Sequence, residues 1–211
     1  MKKHKISHLA IIATLAAALF SCSESPTKQV TEQAKTTMTL KEALAQKLIS
    51  VTTKSTGNYS GGSVSIAFKS NSRKDLKIIV PAGSLFDTDN DDEQDMIVVD
   101  EQRILVKAKS NPTKTINGYC CQHSNKAPSK GSVFKPSTTK NDKLIQLAHY
   151  ISKNKGIPEG VKQSAVWAVS DNSSIANVYD YENPEKVKLN NVCFWVHMCF
   201  RQMREDLSIY R

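Results

Sequence analysis

The hydrophobic period of this chain changes partway along, and that change confines the folds open to it. From Ser63 onward the period is two: Val64, Ile66 and Phe68 alternate with Ser63, Ser65 and Ala67. The β-rich run Leu76-Lys77-Ile78-Ile79-Val80 comes next and stops at Pro81-Ala82-Gly83. After it come Ser84 to Phe86, Met96 to Val99, Ile104 to Ala108 and Thr115 to Cys121, with turn signals between them. Successive residues of a strand face opposite sides, so this spacing predicts an antiparallel β-sandwich or barrel of about six short strands. Pro81 belongs at a strand end or edge, because it cannot donate a ladder hydrogen bond. On either side of this region the period is helical. Thr39-Leu40-Lys41-Glu42 has capping-box form, and Leu40, Ala43, Leu44 and Leu48 share one face, predicting a short helix over 39–51. Gly57-Asn58-Tyr59-Ser60-Gly61-Gly62 then breaks the chain. Beyond Ser137, the residues Leu144, Ile145, Leu147, Ala148 and Ile151 form an apolar helical face, with Asn141 or Asp142 to cap its start and Gly156 to suit its end. Pro158 can open a last helix through Val161, Ala165, Val166, Ala168 and Val169, which Ser170-Asp171-Asn172 stops. The expected fold class is α+β, with short helices packed on the β-structure.

The ends of the chain speak to location. Lys2, Lys3 and Lys5 precede an apolar run from Leu9 to Phe20, the form of an export signal, too short for a lasting membrane span. Leu19-Phe20-Ser21-Cys22 resembles a bacterial lipobox, which implies cleavage after residue 21 and lipidation of Cys22. Acyl chains would then hold the protein at a membrane without a spanning helix. The other reading is an ordinary secretory signal with an incidental cysteine. Asp does not follow Cys22, so an outer-membrane or cell-surface position is expected rather than inner-membrane retention. The expected layout is a signal peptide over 1–21, a polar tether over 22–38, a folded domain over 39–180 and a C-terminal tail over 181–211. Removing the leader with its three lysines takes the formal charge from +9 to +6. The remaining basic residues are scattered and aromatics make up only 7% of the chain, so nucleic acid is not an expected partner. Neither a phosphate-binding Gly loop nor a dinucleotide fingerprint occurs, and no cofactor is expected.

Two motifs carry the candidate chemistry: Tyr119-Cys120 and Gln163-Ser164-Ala165-Val166-Trp167. Together they resemble the thioester domains of bacterial surface proteins, which pair an aromatic-Cys motif on a strand with a Gln motif on a helix. The segment Ala168 to Asn172 also looks like the stretch just after the Gln motif in that family, so the resemblance spans residues 119–172. It implies that Cys120 attacks the side-chain amide of Gln163, ammonia leaves, and an internal thioester awaits an amine on a protein or surface ligand. Such a bond needs a Cys and a Gln in desolvated contact, where proximity replaces a bimolecular encounter. Tyr119 and Trp167 are the expected shielding aromatics. Gln163, Val166 and Trp167 fall on one helix face. Cys120 and Cys121 point to opposite faces of their strand, and Cys121 remains the alternative sulfur while the register is open.

Other readings compete. A non-covalent β-sandwich binding or structural module accounts for the same buried helix and cysteine. A Cys-dependent hydrolase or transferase would use Cys121 with His123 or His149 and Asp171, and needs those groups adjacent in space. No C-x-x-C or H-E-x-x-H pattern is present. Asp87, Asp89 and Asp91 alternate as at the start of an EF-hand loop. Asp92 stands where that loop needs Gly and Val98 where it needs a bidentate Glu, so a hairpin tip of solvated charges is the preferred reading over weak calcium binding. Of the five cysteines, lipidation of Cys22 leaves four, with Cys193 and Cys199 in an apolar tail; a bridge between them and free buried thiols both stay open.

Overall fold

The computed structural model describes residues 36–171. The export signal, Cys22, Cys193, Cys199 and the C-terminal tail lie outside the described residues.

The fold is α+β, with thirteen elements: β1 (Thr36–Thr39), α1 (Leu40–Ala45), β2 (Ile49–Ser55), β3 (Val64–Ser70), β4 (Leu76–Val80), β5 (Ser84–Thr88), β6 (Met96–Ile97), β7 (Gln102–Val106), β8 (Thr113–Ile116), β9 (Tyr119–Cys120), β10 (Val133–Thr138), α2 (Asp142–Lys153) and α3 (Glu159–Ser170). Each of the six runs with strand character contains a strand, and the last divides into β8 and β9 around Asn117-Gly118. Three strands carry no clean apolar alternation. β1 begins in the stretch read as tether, ends at the first residue of the expected domain, and pairs in parallel with β4. β2 begins at Ile49, where the 39–51 helix was expected to continue; α1 ends at Ala45, and Lys47 turns the chain with a left-handed φ of 54°. β10 exposes Val133, Lys135 and Pro136 and buries only Phe134.

Seven strands form one antiparallel sheet in the order β8-β3-β2-β10-β5-β6-β9, and β1-β4-β7 form a second. The edge strands β8 and β9 are separated in sequence by two residues, so the large sheet must curl until its edges meet, giving a half-barrel. Gly118 makes that corner fit. A Cβ there would lie 2.8 Å from Ser63 Oγ, closer than real Cβ contacts come, and a tight 3.1 Å from Val64 Cγ2. Ser63 Oγ donates to Gly118 O (2.9 Å), and Gly118 N–H donates to Gly61 O (2.8 Å).

The inner face of the curled sheet packs on the small sheet. Val64, Ile66, Phe68, Phe86, Met96 and Cys120 from one meet Leu76, Ile78, Val80, Ile104 and Val106 from the other. A second apolar cluster lies on the outer face, where Ile97, Tyr119 and Cys121 pack against α2 and α3. Asn141 caps α2, its side chain accepting from the Leu144 N–H. Pro158 stands just before α3 rather than as its first helical residue. Eight of the twelve residues of α3 are buried, because the helix is covered by both α2 and β9.

Candidate functional site

The site forms where α3 crosses the open edge of β9. Cys121 N–H donates to Asp95 O (2.8 Å), on the β6 side. The N–H and C=O of Cys120 therefore face the other way, off the edge of the sheet. Gln163 meets them there. Its Nε2 donates to Cys120 O (2.8 Å), and its Oε1 accepts from Cys120 N–H (3.0 Å), which also reaches Tyr59 O (3.0 Å). The carboxamide thus stands where the peptide group of a further strand would stand, and Gln163 is fully buried. Two residues 43 positions apart in sequence are thereby brought into contact.

The contact is through the main chain of Cys120, not its sulfur. Cys120 Sγ points into the inner core, 3.4 Å from Sδ of its cross-strand partner Met96. The alternation along β9 sends Tyr119 and Cys121 to the outer, helix-bearing face. Register thus places the Cys121 sulfur among the apolar residues of α2 and α3, and the Cys120 sulfur among those of the two sheets. Both thiols are free and buried. Burial pushes the Cys120 thiol up to about 12. It pushes Cys121 well above the ordinary thiol range, with Asp95 adding to the effect.

Tyr119 does not stand on the Cys120 side-chain face as a shield. Its hydroxyl donates to Glu159, and its ring lies 5.9 Å from Lys162 Nζ. Lys162 is itself held by Asp100 (2.7 Å) and Glu159 (2.9 Å). Burial disfavours its charge, but the two carboxylates outweigh that and raise its pKa, so it stays an ammonium and not an amine nucleophile. Trp167 lies one helical turn beyond Gln163 on α3. It packs against the inner core, donates from Nε1 to Gln94 Oε1 (3.0 Å), stacks on Tyr59 (6.4 Å between centroids) and receives the edge of His123 (4.7 Å). Sequence reasoning passed over Tyr59, Met96 and Gln94. The one available signal was a tyrosine inside the Gly-rich breaker 57–62, where a bulky ring needs something to pack on.

The chain leaves β9 through Gln122, in the left-handed region at φ 51°. Its side chain holds Asp95 at two points, accepting from the Asp95 N–H (2.9 Å) and donating to Asp95 Oδ2 (2.7 Å). This turn carries His123 under Trp167, with the His123 main-chain N–H donating to Asp171 Oδ2 (3.1 Å). The imidazole thus packs on an indole, Cys121 is enclosed with its proton held, and His149 is exposed on α2.

The acidic run forms the turn of the β5–β6 hairpin. Asp89 pairs with Lys135 (2.6 Å), the Asp91 carbonyl accepts from Asn125, and Asp95 accepts from the Thr88 N–H. Asp87, Asp89 and Asp91 do not converge, and among the described residues no group of three potential ligands can hold a metal ion.

No family model, no curated protein and no solved structure matches this chain.

Proposed function

We propose that this chain is an exported protein anchored to the bacterial envelope through lipid on Cys22, and that its folded domain attaches to an amine-bearing partner through a Cys120–Gln163 thioester. The observation that carries the reading is the fully buried contact between the Gln163 carboxamide and Cys120. In the forming step Cys120 Sγ turns about its Cα–Cβ bond from Met96 toward Gln163 Cδ. The C–S bond forms, the C–N bond breaks, and the amide nitrogen leaves as ammonia carrying the thiol proton. A partner amine then takes the acyl group and returns the thiol. Enclosure supports the reading, since it keeps water from the acyl carbon, and Trp167 with Tyr59 and His123 lies over the same helix face.

A second reading has its own support. Both polar atoms of Gln163 are engaged by the main chain, and Cys120 Sγ faces Met96, which suits a non-covalent module in which Gln163 closes a strand edge. Intact mass separates the two. Proximity-driven loss of ammonia lowers the mass by roughly 17 Da. Methylamine then adds at Gln163, and Cys120→Ala abolishes that addition. Loss of the addition in Cys121→Ala instead moves the sulfur to Cys121. Full unmodified mass with no methylamine product leaves the non-covalent module.

A further inference from the structure

We propose that loop 57–62, between β2 and β3, is a strap that closes over the contact between Gln163 and Cys120 and lifts to admit the partner amine. Its purpose rests on the thioester reading, but the test of its opening does not. Tyr59 ties together the two elements that form the site. Its carbonyl accepts from Cys120 N–H of β9 (3.0 Å), and its ring stacks on Trp167 of α3 (6.4 Å between centroids, 18° between planes). Gln163 lies between these attachments, since it bonds Cys120 itself and stands one helical turn before Trp167. It is fully buried, so an amine has no path to its acyl carbon in the closed arrangement. Something must move, and the strap is held more lightly than β9 or α3. It lies along β9 as an antiparallel strand would, with Tyr59 O taking Cys120 N–H and Gly61 O taking Gly118 N–H (2.8 Å). A full strand would also donate to the Cys120 carbonyl, but Gln163 Nε2 holds that oxygen. The Cys120 N–H is shared with Gln163 Oε1, so it cannot point straight at both acceptors, and each bond is weaker than a single one. The base of the loop is fixed separately: Thr56 N–H donates to Ser63 O (2.9 Å), and Thr56 Oγ1 donates to Gly62 O (2.9 Å). Gly57 and Gly61 flank the tip at φ 93° and 63°, and nothing stands within 4 Å of where a Gly61 Cβ would be. Two such positions let the tip swing on a fixed base. Tyr59 is already 40% exposed, so lifting its ring costs less than lifting a core aromatic.

Amide hydrogen exchange reads the opening directly, followed by NMR on the isotope-labelled full chain carrying Cys22→Ser. Gly118 N–H is the reporter, because it donates to the strap. Cys121 N–H is the control, because it donates to Asp95 O on the β6 side. Tyr59→Ala removes the stack and leaves the main-chain bonds available. It should speed Gly118 exchange about twofold to tenfold and leave Cys121 unchanged. Tyr59→Phe keeps the ring and should exchange as the parent does. Where the intact mass of the parent shows the loss of ammonia, Tyr59→Ala should speed methylamine addition by the same factor. If the parent has full mass, the thioester reading fails, and accelerated Gly118 exchange still supports a strap that opens. Parental Gly118 exchange in Tyr59→Ala, equal acceleration at Cys121, failure of Tyr59→Phe to restore the parental rate, or unaccelerated methylamine addition to a thioester-bearing Tyr59→Ala would each overturn the proposal.

Discussion

The Gln163 carboxamide bonds α3 to the main chain of β9, and its contribution can be measured apart from any covalent chemistry. In a Cys120→Ala background no thioester with Cys120 can form, but both main-chain bonds to residue 120 remain available. Gln163→Met keeps the volume and removes both. The residue 120 N–H still has Tyr59 O at 3.0 Å, so one buried carbonyl loses its partner. That loss costs about 1–3 kcal/mol. Gln163→Ala adds a cavity in a fully buried position, bringing the cost to about 3–5 kcal/mol. Gln163→Glu carries the sharpest signature. Protonated, its hydroxyl donates to the residue 120 carbonyl as Nε2 does; ionised, it sets a buried charge against that oxygen. Its folded pKa must therefore rise above the unfolded value near 4.3, so stability is near parental below that pH. It then falls by up to about 1.4 kcal/mol per pH unit as pH rises. Urea unfolding at fixed pH, with an unchanged m-value, gives each number. A Met variant within 0.5 kcal/mol of its parent, or a Glu variant with a parental pH profile, would refute the carboxamide's assigned role.

The same geometry makes three further predictions. If the thioester forms, it closes a loop between residues 43 apart, and opening it with methylamine should lower stability by about 4 kcal/mol on loop-entropy grounds, read as a shift in the urea midpoint before and after treatment. Both thiols have folded pKa values raised by burial, so their stabilising effect is complete below the unfolded value near 8.5 and is lost as pH rises above it, toward about 12 for Cys120. The alkaline slope should reach about 1.4 kcal/mol per pH unit for each free thiol; one thiol's worth supports acylated Cys120 and two support the non-covalent module. Gly118→Ala should cost about 1–3 kcal/mol, since its Cβ would meet Ser63 Oγ at 2.8 Å, and a calorimetric melting point at or above the parent would show that the corner has room.

The sequence by itself determined the class of fold. Alternation at Val64, Ile66 and Phe68 and the helical faces at Leu144–Ile151 and Val161–Val169 are local patterns, and local patterns survive in one dimension. A cap at Asn141 or Asp142 and a stop at Ser170-Asp171-Asn172 were legible for the same reason, and the structure takes Asn141 for the cap and Ser170 for the last residue of α3. β1 and β10 were not legible, because their places come from pairing partners, Leu76–Ile79 and Leu85–Thr88, rather than from their own apolar content. The division of β9 was likewise a tertiary decision. That neighbouring residues face opposite ways was predictable, but which cysteine faces the sheets and which the helices depends on the pairing of Met96 with Cys120. The same register turns the Cys120 main chain toward Gln163 and its sulfur toward Met96. The motifs named the two partners, and only the register of a two-residue strand decided which atoms of Cys120 they share, because a one-residue slip exchanges the two faces of a strand.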